Sequence, residues 1–188
     1  EDRIALQKKI LKRMREYGIH PVLPGYSGML PHNAKEKSGV NVADPGTWNG
    51  YHRPAFLQPT DARFKEIAAL YYKEMNRLYG KADFYSMDPF HEGGNVAGVN
   101  LDAAGQAIWQ AMKENNRNSI WVVQAWGANP RAQMIKNVPR GDMLVLDLYS
   151  ESRPQWGDPN SAWYRKEGFD GHQWLYCMLL NYGGNVGL

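Results

Sequence analysis

Apolar and polar residues along the chain follow two periods. Leu6, Ile10, Met14 and Tyr17 recur at spacings of four, four and three, the repeat of one helical face, and Gly18 stands where a left-handed cap ends a helix. A short extended run broken by proline follows, "HPVLPGY" (20–26), and then a long polar stretch, 27–60, that includes Trp48. That stretch reads as a loop, and loops of such length inside a compact domain tend to be functional. Thr60 then caps a second helix carrying Phe64, Ile67, Ala68, Tyr71, Met75 and Leu78 on one face, and Gly80 closes it.

From there strand and helix alternate. "DFYSMD" (83–88) predicts a strand, and Asn100 caps a helix over 101–114 with Leu101, Ala104, Ile108 and Met112 on one side. "IWVVQAW" (120–126) is a second strand, and Asn129 with Pro130 opens a short helix. "MLVLDLY" (143–149) and "WLYCMLLNY" (174–182) are further strands. Continuous apolar runs of this kind are the signature of parallel strands covered on both faces, so the fold class is α/β.

An open doubly wound sheet and a (β/α)8 barrel both fit that order. The polar residues separate them. Each apolar run ends, at its carboxyl end, in functional groups: Tyr26, then Asp88 and Glu92, then Gln124 and Trp126, then Asp147 and Glu151, then Asn181 and Asn185. Five strands that present such groups to one rim match a barrel's catalytic face, whereas an open sheet concentrates its site at a single switch point. The expectation is a segment of a TIM-type barrel of about five βα units, incomplete at both ends and occupying residues 1–188.

Composition narrows the function classes. The 43% hydrophobic and 12% aromatic content of the 188 residues suits a globular core, and the net charge of +3 arises from mixed signs. "QKKILKRMRE" (7–16) interleaves its cations with apolar residues, so it is a solvated helix face and no nucleic-acid partner is expected. No apolar run is long enough for a membrane span. Cys177 sits in an apolar run as a small hydrophobe. No cofactor or metal is expected: Gly93, Gly94 and Gly98 make no dinucleotide fingerprint, and the five histidines lack ligand spacing.

Carboxylates carry the candidate chemistry. Period-two alternation puts Asp147, Tyr149 and Glu151 on one strand face, with Asp147 one layer deeper and in need of partners. Glu92 follows another strand in "DPFHEGG", beside His91 and two glycines. Two glutamates at the carboxyl ends of different strands, each near aromatics, are the equipment of glycoside hydrolysis: one protonates the leaving oxygen, and the other attacks or activates water. Seven tryptophans and eleven tyrosines offer platforms for sugar faces, Trp48, Trp126, Trp156 and Trp163 among them. A non-catalytic carbohydrate-binding module would use the same aromatics without paired carboxylates.

Taken in order, "VLPGYSGMLP", "DPFHEGG", "WVVQAW", "VPRGDMLVLDLYSES" and "WLYCMLLNYGGNVGL" closely resemble the catalytic barrel of glycoside hydrolase family 89, the α-N-acetylglucosaminidases. The resemblance runs from about residue 19 to the last residue, and it implies that the family's flanking N-terminal and C-terminal domains lie outside this chain. It implies a retaining exo-glycosidase that removes terminal α-linked N-acetylglucosamine from glycans. Glu92 matches the general acid/base, Glu151 the nucleophile, and Trp126 an aromatic of the sugar pocket. His91, Asp147, Tyr149, Tyr26, Asn181, Tyr182 and Asn185 fall in matching strand-end motifs as lining residues. His91 departs from the lysosomal members, which carry asparagine there. The resemblance also implies a secreted, periplasmic or cell-surface place for a bacterial member and a lysosomal one for an animal member. The remainder of the same polypeptide is the expected partner, and the segment alone is expected to turn over little substrate.

Overall fold

The computed structural model describes residues 2–90 and 92–179. Helix α1 (Asp2–Glu16) leads into strand β1 (Val22–Pro24). The stretch expected to be a loop holds short elements instead: β2 (Met29–Leu30), α2 (Ala34–Ser38), β3 (Val42–Ala43), β4 (Thr47–Trp48), β5 (Tyr51–His52) and β6 (Ala55–Leu57). After these come α3 (Arg63–Tyr79), β7 (Phe84–Ser86), α4 (Leu101–Asn115), β8 (Ile120–Ala125), α5 (Ala132–Ile135), a 3-10 turn at Arg140–Asp142, β9 (Met143–Leu148) and β10 (Gln173–Cys177).

Strands β1, β7, β8, β9 and β10 form one sheet in that order, every pair parallel. Spatial order follows chain order without reversal, so the sheet has no switch point and is an arc of a barrel, with all five carboxyl ends on one rim. Two antiparallel patches, β2-β6-β3 and the β4-β5 hairpin, belong to the segment after β1.

The core lies between the sheet and helices α3 and α4. Tyr85, Trp121, Ile108, Met112 and Val145 are all but sealed from solvent, and burial of side chains of this size contributes about 1.5 to 3 kcal/mol each. Helix α4 lies against α5 so closely that a Cβ on Gly105 would stand 1.9 Å from the Met134 carbonyl oxygen, which is why a glycine occupies a helix interior.

Several boundaries differ from expectation. Helix α1 buries Leu11 and leaves Leu6, Ile10 and Tyr17 exposed, because α3 meets it on a neighbouring stripe. Asp61, rather than Thr60, opens α3: its carboxylate accepts the Arg63 N–H at 2.9 Å and is clamped by the Arg63 side chain, which holds its pKa far below the usual carboxylate range. Asn100 caps α4 as expected, accepting from the Ala103 N–H at 3.0 Å. Helix α5 starts at Ala132 rather than at Asn129, whose backbone is paired with Trp126. Strand β10 is exposed on both faces rather than buried, because among the described residues it pairs with β9 alone and Trp174, Leu175 and Tyr176 have no covering layer.

Candidate active site

The rim above β7 is built by backbone constraint. Asp88 accepts the Gln124 N–H at 3.1 Å and the Ser86 hydroxyl at 3.4 Å, while burial pushes its pKa up to about 6. Phe90 then anchors the turn, packed on Phe56 at 4.7 Å between ring centroids, and its carbonyl accepts from the Asn129 amide at 3.2 Å. Glu92 takes a left-handed backbone, φ 53°, followed by Gly93 at φ 77°. A left-handed glutamate is uncommon and is held here from outside, since the Arg53 guanidinium donates to the Glu92 carbonyl at 2.7 Å. The Glu92 side chain is exposed rather than buried, and it lines an open cleft of about 350 Å³ with Trp48, Tyr51, His52, Arg53 and Pro54.

Two strands away the rim is built by buried hydrogen bonds. Asp147 is fully enclosed at the end of β9, and its carboxylate accepts the Gln155 N–H at 3.0 Å. Burial raises its pKa despite that bond and the nearby Arg165 charge. The Gln155 side chain, itself sealed, donates to the carbonyls of Gly127 at 3.0 Å and Asn129 at 3.2 Å, and accepts from Arg165 at 3.3 Å. Asp147 thus holds the loop under the site instead of reaching into it, the satisfied structural role that a buried carboxylate needs.

Strand alternation stops at Leu148. Tyr149 is left-handed, φ 64°, and turns the chain, so Tyr149 and Glu151 are placed by a turn and not by the period-two rule. Strand β10 clamps this turn: Ser150 donates its N–H to Cys177 at 3.1 Å, and the Tyr176 hydroxyl donates to the Ser150 carbonyl at 2.8 Å. Glu151 is half-buried; one carboxyl oxygen, Oε1, accepts the Leu179 N–H at 3.0 Å. The other, Oε2, is buried and has no hydrogen-bond partner among the described residues. A carboxylate fixed by one oxygen with the second left unpaired is pre-oriented to attack or to take a proton.

Aromatics flank it. Trp126 stacks on Tyr149 at 5.9 Å, and Trp163 meets Trp126 edge-on at 4.8 Å and Tyr149 at 6.0 Å. Trp126 is only half-buried and Tyr149 is buried. Trp163, Arg53 and Gln155 gave no strong sequence signal of their own; Trp163 was one tryptophan among several, and Arg53 lies in the apparent loop. Tyr26 does not line the rim: its ring is buried between Phe64 at 5.2 Å and Tyr71 at 5.8 Å, so α3 claims it for the core. His91, Asn181, Tyr182 and Asn185 lie outside the described residues.

A parallel barrel arc with two glutamates and an aromatic cluster on its carboxyl rim has the parts of a glycoside hydrolase. The family model described as the alpha-N-acetylglucosaminidase (NAGLU) tim-barrel domain matches residues 1–188, and the chain belongs to that family. Human alpha-N-acetylglucosaminidase is 32% identical over 97% of this chain and 26% of its own length. A family 89 glycoside hydrolase from Clostridium perfringens, with two glutamates replaced by glutamine and in complex with its substrate GlcNAc-alpha-1,4-galactose, is 34% identical with a TM-score of 0.87 over 100% of this chain and 21% of its own. A family 89 enzyme from the same organism in complex with 2-acetamido-1,2-dideoxynojirmycin is 35% identical over 83% of this chain and 19% of its own, with a TM-score of 0.79. The chain therefore spans about a quarter of the human relative's length.

Proposed function

We propose that this chain is the middle of the catalytic barrel of a retaining α-N-acetylglucosaminidase, completed by further strands and by flanking domains of the same polypeptide. The single observation that carries the reading is Glu151, with one oxygen tethered to the Leu179 N–H and the other buried and without a hydrogen-bond partner among the described residues. In an α-linked N-acetylglucosamine the 2-acetamido group is cis to the leaving oxygen, so its carbonyl cannot attack the opposite face of C1. The enzyme supplies the nucleophile instead, and Glu151 takes that role. Glu92 protonates the departing oxygen as the C1–O bond breaks and the Glu151–C1 ester forms. It then takes a proton from the water that cleaves the ester, so both glutamates return to their starting states. A bacterial relative 34% identical to this chain was captured with its substrate after two of its glutamates were changed to glutamine, and this supports a two-glutamate scheme.

The test is Glu151→Ala in the whole polypeptide, assayed on p-nitrophenyl α-N-acetylglucosaminide with and without azide. Turnover should fall by about 10³-fold or more, and azide should restore it with a β-glycosyl azide as product. An α-azide, or no rescue alongside an unaffected variant, removes Glu151 from the nucleophile's place. A wild type that binds the sugar and cleaves nothing favours the carbohydrate-binding module. The 188-residue segment alone, in which β1 and β10 each pair on one side among the described residues, should show little turnover in the same assay.

A further inference from the structure

Residues 44–54 form a small rigid device beside the acid. β4 and β5 pair as Thr47↔His52 and Trp48↔Tyr51, joined by Asn49 and Gly50 at φ 48° and 82°, the two-residue turn whose twist suits a tight hairpin. The Gly46 N–H to Asp44 and Arg53 N–H to Gly46 bonds, 2.8 and 2.9 Å, close its base. The base is tied to the acid loop twice, through Asn95 N–H to Pro45 at 2.9 Å and Arg53 to the Glu92 carbonyl at 2.7 Å.

Directly paired residues of a ribbon point to the same face, so Trp48 and Tyr51 share one. They are 50% and 76% exposed, although each is the kind of side chain a fold buries, and they edge the same cleft as Glu92. A general acid must stand on the side of its leaving group, so whatever occupies that side of Glu92 is the aglycone. We infer that the Trp48–Tyr51 hairpin is the aglycone platform: it stacks the sugar ring that carries the leaving oxygen and thereby sets preference for glycan over small leaving groups. This rests on the reading of Glu92 as the acid.

The test compares two substrates in the whole polypeptide, GlcNAc-α-1,4-galactose and 2-acetamido-2-deoxy-α-glucosyl fluoride, which has no aglycone ring. For Trp48→Ala and Tyr51→Ala, kcat/KM on the disaccharide should fall about tenfold further than on the fluoride, and Trp48→Phe should recover most of the gap. Equal losses on both substrates, or no loss on either, overturn the platform. If Trp48→Ala fails to fold, the Tyr51→Ala and Trp48→Phe pair reads the same ratio. A wild type that cleaves neither substrate sinks the glycosidase reading itself, an outcome distinct from wild-type turnover with no change in the ratio.

Discussion

Glu92 and Glu151 stand on the same rim but are held in opposite ways. Glu92 is fixed through its backbone, by a left-handed turn, the Arg53 bond to its carbonyl and the Asn129 bond to Phe90, while its side chain is exposed. Glu151 is fixed through its side chain, tethered to Leu179 above a loop pinned by sealed Asp147 and Gln155. The difference matches the two roles proposed. An acid/base must address first a leaving oxygen and then a water, so its head group needs freedom on a fixed base. A nucleophile must sit in line with one carbon, so its head group needs constraint.

The largest expected effect tests that division directly. Glu92→Gln should lower kcat/KM on the disaccharide by about 10² to 10⁴-fold and hardly touch the fluoride, whose leaving group needs no proton, whereas Glu151→Gln should abolish both. Equal losses on both substrates from Glu92→Gln would remove the acid from that side of the rim.

Next is the buried support under Glu151. Gln155→Ala leaves the Gly127 carbonyl without the Gln155 amide, removes one of the two donors to the Asn129 carbonyl and opens a void, and should cost about 4 kcal/mol in a denaturant titration. A loss below about 1 kcal/mol would mean the loop is held by packing alone.

The pH dependence of the Glu92 side follows from Asp88. Its carboxyl keeps its proton to about pH 6 in the folded chain, against an ordinary value of 3.8. Between those values the folded state binds more protons than the unfolded one, so this group's contribution to stability is complete at low pH and is lost as pH rises, by about 3 kcal/mol at neutrality. Asp88→Asn should cancel that loss: the stability of the variant relative to wild type should grow from about pH 4 to pH 7 and then level off. A difference that stays flat with pH would show that Asp88 is solvated.

Smallest is Arg53→Ala, which should reduce disaccharide turnover about fivefold through a loosened Glu92 backbone, with a change in unfolding free energy of about 1 kcal/mol or less. If turnover does not change, the left-handed turn holds itself.

Helices and strands long enough to repeat their period were legible in the chain itself. β8 shows Trp121, Val122, Val123 and Ala125 buried, α4 starts at its asparagine cap, and the monotone strand order agrees with a barrel segment. Glu92 and Glu151 stood out as candidates because charge at the carboxyl end of an apolar strand has few structural explanations, and both lie on the carboxyl rim. Strands of two or three residues carry no period, so the pieces inside 27–60, and with them the hairpin and Arg53, were hidden in an apparent loop. Local pattern could not say which neighbour claims a side chain. Tyr26 went to the core because α3 closes on it, Leu11 was buried in place of Leu6 and Ile10, and a left-handed Tyr149 took Glu151 out of the strand's alternation. By itself, then, the sequence determined the barrel order and singled out the two carboxylates as candidates, because continuous apolar runs mark buried strands and charge at their ends marks the rim. The tertiary structure alone decided which carboxylate is tethered and what stands beside each, because contacts between residues distant in the chain have no local signature.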